Sequence, residues 1–174
     1  MEGALARKGF QVTAIALDSI SGICAEKKGV HVIYGSSDAA LSQLSDQRFD
    51  CVLVSNLLHL LPDPSRLLSS LAKLLNADGV MVVTIPNLSN LSVLWRRIRR
   101  AYGYTMLSSY ERIGTHLTSS RMLLRWLRRS NLRAKTIIPI IAPWGKRAYR
   151  TLGNRLADLF AEEFLLAADK SDCS

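Results

Sequence analysis

Glycine-rich loops of the kind that cradle phosphates or nucleotide cofactors are absent from this chain, which starts at Met1-Glu2-Gly3 with no first strand ahead of its opening helix. In nucleotide-type α/β folds that strand and loop form the centre of the sheet and the floor of the site, so any activity must be explained without them. Cysteine is scarce: Cys24, Cys51 and Cys173 share no metal-ligand or redox spacing. That excludes a disulfide scaffold, implies no metal site and fits a reducing, cytoplasmic compartment. No basic-then-apolar leader opens the sequence, and no apolar run reaches the ~18–20 residues a membrane span needs, so a soluble protein is expected. Repeats and low-complexity tracts are missing as well. Acidic residues run short in one half only. Residues 89–174 carry six Asp/Glu against sixteen Lys/Arg, whereas residues 1–88 carry eight against seven.

The net charge of +9 therefore belongs to the second half, where arginine dominates. An anionic partner for that half is one reading, whether a phospholipid surface, a phosphorylated acceptor or nucleic acid; a plain solvated face is the other. Apolar residues make up 48% of the 174, with 21% charged, which describes a packed globule. A single domain spanning residues 1–174 is the natural expectation at this length, with residues 1–88 and 89–174 as its two halves.

Short apolar runs alternate with helical patterns, the signature of an α/β fold: a Rossmann-like, mostly parallel sheet with flanking helices. Residues 3–8 read as the tail of a helix that Gly9 ends, and residues 10–17 as a buried strand. A helix over 19–28, weakened by Gly22, precedes a strand over 30–34 and the polar loop Gly35-Ser36-Ser37-Asp38. Residues 49–55 form a nearly continuous apolar strand, expected to be central. Asp63 caps the next helix and Pro64 suits its first position, with Leu67, Leu68, Leu71, Leu74 and Leu75 as its apolar stripe. Ala77-Asp78-Gly79 turns into a strand over 80–85 that Pro86 stops. Two Arg-rich amphipathic helices follow: Leu91, Leu94, Trp95 and Ile98 against Arg96, Arg97, Arg99 and Arg100, then Met122, Leu123, Trp126 and Leu127 against Arg121, Arg125, Arg128 and Arg129. Strands over 133–141 and 162–168 flank a helix over 145–161.

The stretch Phe49-Asp50-Cys51-Val52-Leu53-Val54-Ser55-Asn56-Leu57-Leu58-His59-Leu60-Leu61-Pro62-Asp63-Pro64 resembles the class I S-adenosylmethionine-dependent methyltransferases, and within them a quinone-, lipid- and glycan-type subgroup. The helix after it, the turn Asn76-Ala77-Asp78-Gly79 and residues 80–87 with their Ile85-Pro86-Asn87 ending match in order and spacing, and Gly114-Thr115-His116-Leu117 before a helix echoes an Arg-Thr-His-Leu stretch of the same subgroup. The resemblance implies S-adenosyl-L-methionine as cofactor and a small-molecule or lipid-linked acceptor. It also implies that the family's first strand and Gly-x-Gly-x-Gly loop would lie ahead of Met1, so that the domain is truncated at its N-terminus. The family's ribose-binding acid falls at Ala16, with Asp18 two residues on as the substitute. Gly35, Ser36 and Ser37 fall where the family reads the adenine edge, and Ser55, Asn56 and Leu57 on the methionine side.

Methyl transfer needs in-line placement of the reactants and sometimes a base on the acceptor. His59, at the carboxyl end of a strand, is the first candidate base; a polar loop residue is the bland reading. His116, ahead of a helix with Thr118 as expected cap, suits pocket shaping more than catalysis, and His31 needs no role. The Arg-rich helices either pack on the sheet or rest on an anionic membrane, making the protein membrane-peripheral. Nucleic acid is disfavoured, since no recognised module or interleaved stacking aromatics are present. A non-catalytic remnant serving as an interaction domain competes with the enzyme, and a glycine loop encoded upstream is a third reading. Without the first strand, the strands near Phe10 and Phe49 are expected to pair directly, or another segment or a second chain to fill the gap, which would make a homo-oligomer.

Overall fold

The structure, a computed structural model, describes residues 2–16, 18–90, 93, 110–141, 143 and 157–171. The chain divides into two compact units, Met1–Gln47 and Arg48–Ser174. The expected helix over 91–100 with Trp95 lies outside the described residues, as does most of that over 145–161.

In the first unit, helix α1 (Glu2–Ala6) ends near Gly9, whose φ of +88° is the left-handed conformation that glycine adopts without strain. Strand β1 (Thr13–Ile15) pairs in parallel with β2 (His31–Ile33) through helix α2 (Ser19–Glu26), a β-α-β unit with Thr13 opposite His31 and Ile15 opposite Ile33. The Tyr34 ring lies over Gly22, where a Cβ would come within 2.5 Å of it, so this mid-helix glycine has a packing reason. Of the loop expected at residues 35–38, Gly35 and Ser36 lie outside any helix, while Ser37 and Asp38 open one, α3 (Ser37–Gln43). Ser36 caps it by accepting from the Ala39 amide at 3.3 Å, and Asp38 adds a negative charge in its first turn. Val30, Ile33, Ala40 and Leu44 form the buried core.

The second unit begins with β3 (Phe49–Ser55), a 3₁₀ turn (Leu58–Leu60), α4 (Pro64–Lys73) and β4 (Leu75–Pro86). After them come α5 (Tyr110–Ile113), α6 (Ser120–Arg129), β5 (Leu132–Ile141), α7 (Ala157–Phe160) and β6 (Ala161–Lys170). Asp63 and Pro64 start α4 as their residue types require, the Asp63 carboxylate accepting from the Arg66 amide at 3.1 Å. The sheet order is β3-β4-β6-β5, with β3 and β4 parallel and β6 antiparallel to both its neighbours. Met81 stands opposite Ala168, Val83 opposite Leu166 and Ile85 opposite Phe164, all six buried. This period-two ladder is the centre of the core. Leu68 and Leu71 of α4 and Leu123, Trp126 and Leu127 of α6 are buried with it, and Ser130 ties the end of α6 to α4 by donating to Ser65 O at 2.9 Å.

Further expectations change. Ala77-Asp78-Gly79, expected as a turn, lies within β4, as does Leu75, expected on the stripe of α4. Among the described residues, strand β3 borders its sheet and is not central in it, for β4 holds the place between two partners. An apolar run records what a strand could bury, not how many neighbours it finds, and of β3 only Val54 is fully buried. Of the alternatives for the strands near Phe10 and Phe49, direct pairing is not found among the described residues, where β1 bonds to β2 and β3 to β4. Ser119, not Thr118, caps α6, because the Thr118 hydroxyl donates to Pro86 O while Ser119 accepts from the Met122 amide at 3.4 Å.

Candidate active site at the strand ends

Parallel strands place their following loops at one end, where α/β folds bind ligands. In the first unit that end holds Ala16, whose amide donates to Ile33 O at 3.0 Å, followed by Asp18, and beside them Gly35 and Ser36. Asp18 is the N-cap of α2. Its carboxylate accepts from the Ser21 amide at 2.8 Å and the Ser21 hydroxyl at 2.9 Å, and these two bonds hold it below the usual carboxylate range. A carboxylate has about four acceptor sites, so Asp18 keeps capacity for hydroxyls such as a ribose diol presents. The Ser36 hydroxyl accepts from a helix amide and retains its own proton to donate. Ser37 opens α3, exposed, and Gly35 has a φ of +130°, so a side chain there would be strained.

In the second unit, β3 and β4 end side by side with Ser55 opposite Thr84, their hydroxyls 3.2 Å apart. Asn56 then turns the chain in the left-handed region, with φ +48°, its amide bonded to Thr84 O at 3.0 Å. Its side-chain Nδ2 donates to Glu163 Oε1 at 3.1 Å, which leaves Oδ1 open to a donor such as the ammonium of a methionine group. Leu57 is half-buried, and Leu58 is fully buried and anchors the turn that carries His59.

His59 is the distinctive member. Its Nδ1 is buried without a hydrogen-bond partner among the described residues. Burial, and secondarily the nearby His116, lower its basicity below the usual histidine range. That lowering favours the neutral imidazole at neutral pH.

His116 has a different task. Its amide donates to His59 O at 2.8 Å and its Nε2 bonds Leu61 O at 2.9 Å. A carbonyl only accepts, so Nε2 carries the proton in that bond. The Tyr110 hydroxyl donates to the intervening Leu60 O at 2.9 Å. Three successive carbonyls of the His59 turn are thus held by one segment. The His116 ring stacks on Tyr110 at 4.6 Å between centroids and meets Trp126 edge-on at 5.2 Å, which fixes its orientation. His116 is a clamp on the turn that presents His59.

Further along, the buried Asn87 donates to Asp158 O at 2.6 Å and Ala161 O at 2.9 Å and accepts from the Ser89 amide at 3.1 Å. Asn76 donates to Asp50 at 2.6 Å, and a Cβ on Gly79 would stand 3.0 Å from Phe49 O. Much of the stretch that carries the family resemblance is therefore scaffold, joining strand starts and ends. Sequence reasoning missed Glu163, Thr84 and Tyr110. The signal for Glu163 was an acid at the opening of a last strand; an antiparallel strand there begins where β4 ends, opposite Pro86.

Residues 2–136 match the family model described as a methyltransferase domain. No curated protein matches the chain in sequence at a significant level. Among solved structures the chain is similar to a SAM-dependent methyltransferase from Methanosarcina mazei, with a TM-score of 0.65 at 18% identity over 96% of this chain and 85% of that one. It is likewise similar to one from Archaeoglobus fulgidus, with 0.64 at 15% identity over 96% and 79%. A third is described as a possible histamine N-methyltransferase from Thermotoga maritima, with 0.63 at 14% identity over 95% and 75%. At these identities the likeness is one of fold.

Proposed function

We propose that this chain, which belongs to the methyltransferase domain family, transfers a methyl group to a nucleophile on a small or lipid-linked acceptor at the carboxyl ends of β3 and β4. The cofactor of the family is S-adenosylmethionine, and when bound it supplies an electrophilic methyl on a sulfonium. Ser55, Asn56 and Leu57 would hold its methionine end, and the open Asn56 Oδ1 beside the Glu163 carboxylate fits an ammonium. In this reading His59 takes the proton that the acceptor's nucleophile gives up, and the bonds from Tyr110 and His116 to the Leu60 and Leu61 carbonyls support the turn that carries it. The single observation that carries the reading is geometric: the His59 Nδ1, on the turn that follows β3, has no hydrogen-bond partner among the described residues.

One observation favours a second reading, a non-catalytic interaction domain: Ala16 stands where the family has its ribose-binding acid, while Asp18 is engaged in capping α2. Calorimetric titration with S-adenosylmethionine separates the two. Binding heat, and thermal stabilisation worth about 2.7 kcal/mol at a hundredfold excess over Kd, support methyl transfer. The absence of both heat and stabilisation at millimolar cofactor would overturn it. In an active preparation His59→Gln should lower kcat about a hundredfold or more. It should also remove an acidic limb that lies below the usual histidine value of about 6.5, because the lowered basicity keeps the wild-type base neutral to lower pH. A variant with the wild-type pH profile would remove His59 from the chemistry.

A further inference from the structure

Helix α6 divides its residues sharply. Leu123, Trp126 and Leu127 are buried in the core, while Arg121, Arg125, Arg128 and Arg129 lie exposed at i, i+4, i+7 and i+8, one stripe along the opposite face. Together with the half-buried Leu124 they line one shallow surface depression. No hydrogen bond or ion pair joins the guanidinium of any of the four to another described residue. Elsewhere in the unit the contrast is plain: Arg133 and Lys135 both reach Asp169, at 3.2 and 3.1 Å. The helix has no acid of its own, so its like charges at i, i+4 repel and work against it unless an outside anion neutralises them.

We infer that this stripe docks the protein on an anionic phospholipid bilayer, independently of the methyl-transfer reading. A row of guanidiniums about 12 Å long on a straight helix suits several headgroup phosphates lying in one plane. Leu124 in the middle of the row gives the contact an apolar component that a bilayer can use and a nucleic-acid backbone cannot. The helix's aromatic, Trp126, is buried in the core, so no ring on this face is available to stack on bases. The apolar side of α6 is already occupied by the fold, so the docking is electrostatic and peripheral, without insertion of the helix.

The test is co-sedimentation of the full chain with vesicles of phosphatidylcholine alone and of phosphatidylcholine mixed with phosphatidylserine. Binding to the second and not the first, released by raising the salt, is the expected result. Each arginine near such a surface is worth about fivefold in partitioning, so the exposed pair Arg125→Gln and Arg129→Gln should weaken binding about thirtyfold. An unchanged circular-dichroism melt would show that the variant stays folded. Equal binding to neutral vesicles, or an unaffected double variant, would overturn the inference. So would release from the vesicles by RNA at a matched phosphate concentration.

Discussion

The two units start their helices by the same local rules and differ in what their strands accomplish. In the first, Asp18 and Ser36 cap α2 and α3; in the second, Asp63 and Ser119 cap α4 and α6. Yet β1 and β2 are three residues each, and the first unit leaves Phe10 62% and Ile20 78% exposed. The second unit has strands of seven to twelve residues and a ladder of opposed, buried side chains across β4 and β6. Caps and turns are settled within a few residues; apolar burial requires partners distant in sequence. The first unit has the former and little of the latter, and about 47 residues is close to the size below which a core rarely stands alone.

The largest expected effect tests the stronger side of that contrast. Phe164 is fully buried opposite Ile85. Phe164→Ala should destabilise the second unit by about 3–5 kcal/mol, read as a lowered urea midpoint at unchanged slope. A cost under about 1 kcal/mol would mean that the ladder is not where the second unit keeps its stability.

This asymmetry also explains how much was legible in advance. The α4 start at Asp63-Pro64, the Ile85-Pro86 stop, and the extent of β3 follow from residue types at neighbouring positions. The placement of β3 at a border, the pairing of β1 with β2 alone, and the meeting of Asn56 with Glu163 depend on residues up to 107 positions apart, and no local pattern encodes them. At the site, His59 was visible as a histidine after a strand. Its buried Nδ1, without a partner among the described residues, was not, because burial depends on the tertiary surroundings of the turn, whose carbonyls bond to Tyr110 and His116 some fifty residues away. Thr118 and Ser119 show the limit at single-residue scale: both can cap a helix, and only the nearby Pro86 carbonyl decides which one does.

A middle-sized effect compares equivalent devices in the two units. Asp63→Ala removes the α4 cap and should cost about 1 kcal/mol in the second unit. For Asp18 the readout is pH. Its carboxyl is held below the usual range by Ser21, so its contribution to α2 is complete above the ordinary aspartate value of about 3.9 and is lost as pH falls through the lowered folded value. Wild-type amide signals of α2 should therefore shift in that acid window, and those of Asp18→Ala should not. Shifts that persist in the variant would assign the transition to another carboxylate.

The smallest effect is the most discriminating for the first unit. Ile20 sits in the first turn of α2, and its neighbour on that helix, Ile23, is about half exposed. With so little of its side chain in contact, Ile20→Ala should change stability by no more than about 0.5 kcal/mol, and the better helix propensity of alanine offsets part of the loss. Thermal melts of the two proteins would then nearly superimpose. A loss of 1 kcal/mol or more could not come from the packing within residues 2–47. It would require that Ile20 be covered in solution, and the first unit would owe its stability to that cover and not to its own core.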